Sequence, residues 1–306
     1  MHWLDGVVVA YLTFYCVRVG MAPPSGERTF ALVVFGLALA ICVTGILLVR
    51  GELLRTAWRG MVYRSTVLVA ILGVFLVGLR HALVAIQPVM RDAELAALDR
   101  SLFGVVPAQW LERFAHPVLT EWLAFFYFSY FFMLILAVIP PVFRGGDRVT
   151  SERVIGIVLI DTIGQATYAL VPGRGPYAAL PFDAPLTGGP VWRLVLDMVA
   201  GAGPMLDIFP SLHTALSTFI ALHLWRTRHE RPPSRRVLAG LAVFSATQIV
   251  IATLYLRWHY AIDVIAGLAL MTVALVLIPR VGAADARRIA AGRQPALASA
   301  ERWKRA

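Results

Sequence analysis

Charge is scarce in this chain: Asp, Glu, Lys and Arg make up 15% of its 306 residues, against 59% hydrophobic ones. So few charges cannot cover the apolar surface of one ordinary soluble core, and the composition points instead to a polytopic membrane protein. Cysteine is nearly absent. Cys16 and Cys42 both lie in apolar runs, without the spacing of a metal site or a disulfide framework, and read as small buried hydrophobes. No GxGxxG, Walker loop, zinc-type spacing or fixed-period repeat occurs.

What the chain has in abundance is long apolar runs. Those near 5–20, 29–49, 65–87, 118–142, 154–172, 208–225, 237–256 and 260–279 approach the roughly 20 residues that span about 30 Å of hydrocarbon. The first lacks the basic start and small-residue cleavage pattern of a signal peptide, so it is read as a span.

The net charge of +10 could suggest a nucleic-acid partner, but its placement along the chain argues for topology instead. Arg50, Arg55, Arg59 and Arg64 fall between spans two and three, and Arg144, Arg148 and Arg153 between four and five. Five more (Arg226, Arg228, Arg231, Arg235, Arg236) follow span six, and the tail from Arg280 is basic. The positive-inside rule puts these segments and both termini in the cytoplasm. A lipid-binding role for the basic patches is the alternative. The loop 173–207 and the turn 257–259 then share the opposite face, which is periplasmic, extracellular or lumenal. The expectation is an integral protein of the plasma (inner) membrane.

Polar chemistry gathers in two stretches on that face, FPSLHTALS (209–217) and YLRWHYAIDVIAG (255–267). On a helix, His259 and Asp263 would lie on one side, about 6 Å apart along the axis. The carboxylate can then fix the imidazole tautomer and leave Nε2 free as base or nucleophile. His213 follows Pro210 and Ser211 at a helix start, where first-turn amides and the dipole favour an anion such as phosphate. Zinc ligation by these groups is the competing reading, but no short-spaced pair such as HExxH accompanies them. His2, His81, His116, His223 and His229 read as structural or surface residues.

Three further segments carry weight. Residues 91–117 space apolar residues at helical intervals among charges, which suggests an interfacial amphipathic helix broken near Gly104 to Pro107, serving as a lid or a plain connector. Asp161 and Gln165 form an intramembrane i, i+4 pair, read as helix-to-helix hydrogen bonding with Gln248 as a candidate partner. The run FFYFSYFF (125–132) suits packing or a groove for acyl or prenyl chains.

The two stretches resemble the second and third signature motifs of the PAP2 phosphatase and phosphotransferase superfamily, whose common forms are PSGH and SRxxxxxHxxxD. The variant here, PSLH with HYxxDxxxG, is closer to the inositolphosphorylceramide synthase (Aur1-type) branch, and the likeness covers roughly 150–280. It implies a metal-independent, cofactor-free mechanism. His259 would be the nucleophile that forms a phosphohistidine, Asp263 its orienting carboxylate and His213 the acid that protonates the leaving group. Arg174 in VPGRGPY resembles the end of the first motif and is the first candidate for phosphate binding, with Arg257 and Ser211 beside it.

Three positions depart from the pattern: Thr167 and Thr253 stand where the family has a lysine and an arginine, and Leu212 replaces a glycine. Less phosphate-binding charge suits a phosphodiester better than a phosphomonoester.

The expected architecture is therefore an all-α polytopic bundle with N-terminal spans (1–90), an interfacial segment (91–117), a PAP2-like six-helix catalytic core (118–280) and a basic cytoplasmic tail (281–306). The expected partners are the bilayer and a phospholipid or polyprenyl-phosphate substrate, with no nucleic acid. Head-group transfer to an alcohol is the leading reaction. A lipid-phosphate or polyprenyl-pyrophosphate phosphatase is the alternative, and a transporter or flippase with an inactive site lies further off.

Overall fold

The computed structural model describes residues 2–86, 89–144, 147–230, 233–293 and 295–297, and among them every regular element is a helix. The longer ones are α1 (Trp3–Gly20), α2 (Gly26–Arg50), α3 (Thr56–Leu68), α4 (Leu79–Ile86), α5 (Asp92–Phe103), α6 (Pro117–Arg144), α7 (Arg148–Tyr168), α8 (Pro190–Ala202), α9 (Leu212–Arg226), α10 (Pro233–Tyr255) and α11 (Ala261–Ala290). A π turn over Val69–Gly73 and a short helix, Val74–Val77, continue α3.

Six of these stretches are long and apolar enough to cross a membrane: α1, α2, Trp58–Val77, Pro117–Phe143, Arg236–Tyr255 and α11. The chain is an integral membrane protein. The two other expected spans fall short for different reasons. The 15 residues of α9 reach only about 22 Å, less than the hydrocarbon thickness, while α7 carries Arg148, Glu152, Arg153 and Asp161.

The chain divides into two compact units, one of residues 1–87, 136–166 and 274–306, the other of 88–135 and 167–273. In the first, Asp5 is fully buried and accepts from the Arg50 guanidinium, at 3.1 Å from Nε and 3.0 Å from Nη2, and from the Tyr63 hydroxyl. Arg50 also donates to the carbonyls of Pro295 and Ala296. His2 caps α1 and pairs with Asp285 at 3.2 Å.

Two expectations are corrected in this unit. Arg64 does not lie in the loop after span two: the third span begins about two turns earlier than its apolar run, and Arg64 sits buried inside it. Its Nε donates to the Val142 carbonyl, which lets the helix carry the charge. Gln248 is not the partner of Asp161. Gln165 Nε2 donates to Asp161 Oδ2 at 2.6 Å, and Tyr11 and Tyr15 of α1 donate to the Gln165 side chain and backbone. Gln248 instead accepts from the Trp122 indole at 2.9 Å.

The second unit holds both histidine stretches. Here α5 runs over the expected amphipathic segment and ends at Gly104, whose φ of +77° places it in the left-handed conformation common just past a helix end. The break before Pro107 falls where the sequence suggests. Unanticipated is α8, inside the loop 173–207, although Gly188, Gly189 and Pro190 before an apolar spacing are a helix-start signal. Glu121 caps it, accepting the amides of Gly189, Val191 and Trp192. Its Trp192 and Val195 then pack with Leu123, Tyr127, Tyr255 and Trp258 in one apolar cluster.

Candidate active site

Helix α9 starts at Leu212 because Pro210 cannot donate into a preceding turn and Ser211 is an N-cap. The Ser211 hydroxyl accepts the Thr214 amide at 3.3 Å. His213 is thereby fixed at the second helical position, with the positive end of the helix dipole behind it. Around its ring lie residues of α6: Tyr127 stacks on it with centroids 4.4 Å apart, Tyr130 at 4.3 Å and Phe131 edge-on at 5.9 Å. The aromatic run thus divides by helical phase, with Tyr127 and Tyr130 turned inward and Phe125 and Phe132 exposed.

The second stretch is built at the junction of α10 and α11. The Thr253 carbonyl accepts the amides of both Trp258 and His259 at 3.1 Å, and Arg257 takes a left-handed φ of +68° to close that turn. Thr253, where the superfamily carries an arginine, is fully buried and shapes this turn through its backbone. His259 is not on the helix as the i, i+4 spacing suggests, since α11 begins only at Ala261. The pair forms through a cap instead. Asp263, in the first turn of α11, reaches back so that its Oδ2 accepts the Tyr260 amide at 2.9 Å, and the same oxygen lies 3.4 Å from His259 Nδ1.

The two stretches meet. The rings of His213 and His259 have centroids 6.2 Å apart at an interplanar angle of 54°. The Ser211 amide donates to the Asp263 carbonyl at 3.0 Å, tying the start of α9 to that of α11. His213 Nε2 is buried and has no hydrogen-bond partner among the described residues. Groups of three or more His, Cys, Asp or Glu side chains able to hold a metal ion are absent among those residues.

The remaining candidates separate. Arg174 is exposed and stands between two tightly placed glycines. A Cβ on Gly173 would meet the Ile208 side chain at 2.7 Å, and one on Gly175 would meet the Trp258 carbonyl oxygen at 2.3 Å. The chain on either side of Arg174 therefore touches the second histidine stretch at Trp258 and, at Ile208, the residue just before the first. Arg257 is buried and already engaged. Its Nη1 donates to the Ala184 carbonyl at 2.9 Å, its Nη2 to Glu112 at 3.1 Å, and the guanidinium lies 3.8 Å over the Phe182 ring. Ser211 is fully buried, its hydroxyl used as the cap.

Three acidic residues that hold this unit together, Asp92, Asp99 and Glu112, are not singled out by sequence reading, nor is Asp207, which lies near His259. Asp92 accepts the amides of Arg174 and Gly175, and Asp99 those of Ala261 and Ile262. Burial pushes the Asp99 carboxyl up, against the pull of those two amides. Burial raises Asp207 too, while His259 nearby pulls the other way. A signal did exist. Asp92 and Asp99 are seven residues apart, hence on one face of α5, in a chain that is basic overall.

Comparison with known proteins accords with this geometry. No curated protein and no solved structure matches the chain. The sequence model described as the PAP2 superfamily matches residues 93–277, more than half of the chain, and so takes in α5 and α6 upstream of the stretch the motifs alone suggest. Members of that superfamily are generally phosphatases and phosphotransferases. With both motif histidines brought together inside the matched region, the chain belongs to the PAP2 superfamily.

Proposed function

We propose that the protein is a lipid phosphotransferase that moves a phosphorylated head group from a lipid donor to an alcohol acceptor through a phosphohistidine on His259. The observation that carries this reading is the juxtaposition of His213 and His259, rings 6.2 Å apart, with Asp263 behind the Nδ1 of His259 alone. In the first half-reaction Nε2 of His259 attacks phosphorus, the bond to the lipid oxygen breaks, and that oxygen takes a proton from His213, whose imidazole burial and nearby His259 hold toward the neutral form until the substrate's anion lies beside it. In the second, the acceptor hydroxyl surrenders its proton to His213 as its oxygen attacks phosphorus and the P–N bond breaks. Both imidazoles return to their starting states, with Asp263 stabilising the positive charge that His259 carries while it is phosphorylated.

Charge balance supports a phosphodiester of the Aur1-type kind. Arg174 is the cation offered to the substrate, since Glu112 neutralises Arg257. Amides at the start of α9 that the Ser211 cap does not use are proposed as fixed donors for the equatorial oxygens. Counting α7 and α9 as crossing segments despite their length and charge, the positive-inside rule supports a site on the outer face of the plasma membrane with both termini in the cytoplasm.

The test is product analysis. Purified protein is incubated with labelled phosphatidylinositol plus ceramide or diacylglycerol, and separately with phosphatidic acid and a polyprenyl pyrophosphate. Label appearing in a new lipid is expected. Free phosphate as the sole product would establish the hydrolase alternative. Turnover surviving in His259→Ala would remove the phosphohistidine.

A further inference from the structure

Helix α5 links the arginine loop to the nucleophile turn. At its N-terminal end, Asp92 accepts the Arg174 amide at 3.0 Å through both oxygens and the Gly175 amide at 3.0 Å, and the Tyr260 hydroxyl donates to it at 3.2 Å. Two turns on, fully buried Asp99 accepts the amides of Ala261 and Ile262, both at 2.9 Å. Seven residues make about 10 Å along the helix axis. Between the two carboxylates, Leu95 and Ala96 pack in one buried cluster with Ile208 and Tyr260, and the Arg91 amide donates to the Pro172 carbonyl at 2.8 Å. A loose connector resting on the membrane would make none of these bonds.

We propose that Asp92 and Asp99 are positioning residues of the reaction. Asp99 sets the turn that presents His259, Asp92 sets the loop that presents Arg174, and α5 fixes the distance between them. Asp99 also occupies the first-turn amides of α11, so that helix end is closed to a phosphate. The inference rests on the proposed roles of His259 and Arg174.

The experiment uses the full chain in lipid nanodiscs and reads hydrogen exchange beside kinetics. Asp99→Ala should raise exchange in peptides covering 259–263 and leave 173–177 protected. Asp92→Ala should do the reverse. With labelled phosphatidylinositol as donor, Asp99→Ala should lower kcat by about tenfold or more at nearly unchanged KM, because a displaced nucleophile loses rate rather than binding. Asp92→Ala should act mainly on KM. Asp99→Asn, which keeps one acceptor oxygen, should fall between Ala and wild type and guards against misfolding of the Ala variant. Exchange rising in both segments for either variant, or in neither, would overturn the proposal. If wild type shows no turnover on any probe, the functional reading fails, while the exchange pattern still decides whether α5 holds the two segments separately.

Discussion

Gly267 lies against the backbone of Ser211 so closely that a Cβ added to it would stand 2.6 Å from the Ser211 carbonyl oxygen. It is the last residue of the HYxxDxxxG pattern, one turn of α11 beyond Asp263, and that turn is where α9 and α11 touch. The spacing of the motif therefore joins a chemical requirement at His259 and Asp263 to a packing requirement at Gly267.

Gly267→Ala should separate the two helix starts. Overpacking of this kind costs about 1–3 kcal/mol, and turnover should fall further than stability because His213 and Asp263 ride on the two elements forced apart. Thermal unfolding in detergent and lipid turnover, measured together, check this. An Ala variant with wild-type midpoint and rate would show that the contact relaxes without consequence.

The two arginines should respond in opposite ways. Arg257→Ala and Glu112→Ala each break one partly buried pair, so their double variant should be less destabilised than the sum of the singles, with a coupling of about 0.5–3 kcal/mol. Arg174→Ala should leave the unfolding midpoint near wild type and raise KM for an anionic lipid. Additive losses at 257 and 112, or a large midpoint shift at 174, would reverse the assignment.

The polar network of the first unit makes a stability prediction with no catalytic counterpart. Asp161→Asn keeps an oxygen acceptor for Gln165 and should be nearly neutral, whereas Gln165→Leu strands Tyr11 and Asp161 and should cost about 1–2 kcal/mol. Turnover of the folded fraction should be unchanged in both. Activity loss in Asp161→Asn at full stability would give this carboxylate a role in the reaction.

His213 is assigned to the leaving group, so its loss should depend on what leaves. His213→Ala should lose far more rate on an alkyl phosphodiester than on a p-nitrophenyl ester, whose leaving oxygen needs little help from an acid. Equal losses on the two esters would assign His213 to binding instead.

Much of this architecture is legible in the sequence because it follows from one-dimensional patterns. Apolar runs give the helices of the membrane, Gly104 and Pro107 give the break after α5, and the motif spacings locate His213, His259 and Asp263. What stays hidden is what depends on partners distant in sequence. Arg64 reads as a loop charge until a carbonyl 78 residues away is seen to accept from it. Arg257 reads as a free cation until Glu112 is found beside it. Asp92 and Asp99 read as the wet face of an amphipathic helix, because the backbone amides they bind leave no mark on residue identity. The helical pairing of His259 with Asp263 leads to the right contact by the wrong local geometry, since a first-turn carboxylate that reaches back has the same spacing as a helical neighbour.

The most direct measurement is a structure with vanadate, which adopts the trigonal-bipyramidal shape of phosphoryl transfer without requiring the natural lipid. Vanadium should be bonded to His259 Nε2, with the opposite apical oxygen at hydrogen-bonding distance, about 2.7–3.2 Å, from His213 Nε2 and an equatorial oxygen facing Arg174. Vanadate bound away from His259, or held with His213 rather than His259 as its apical ligand, would contradict the account.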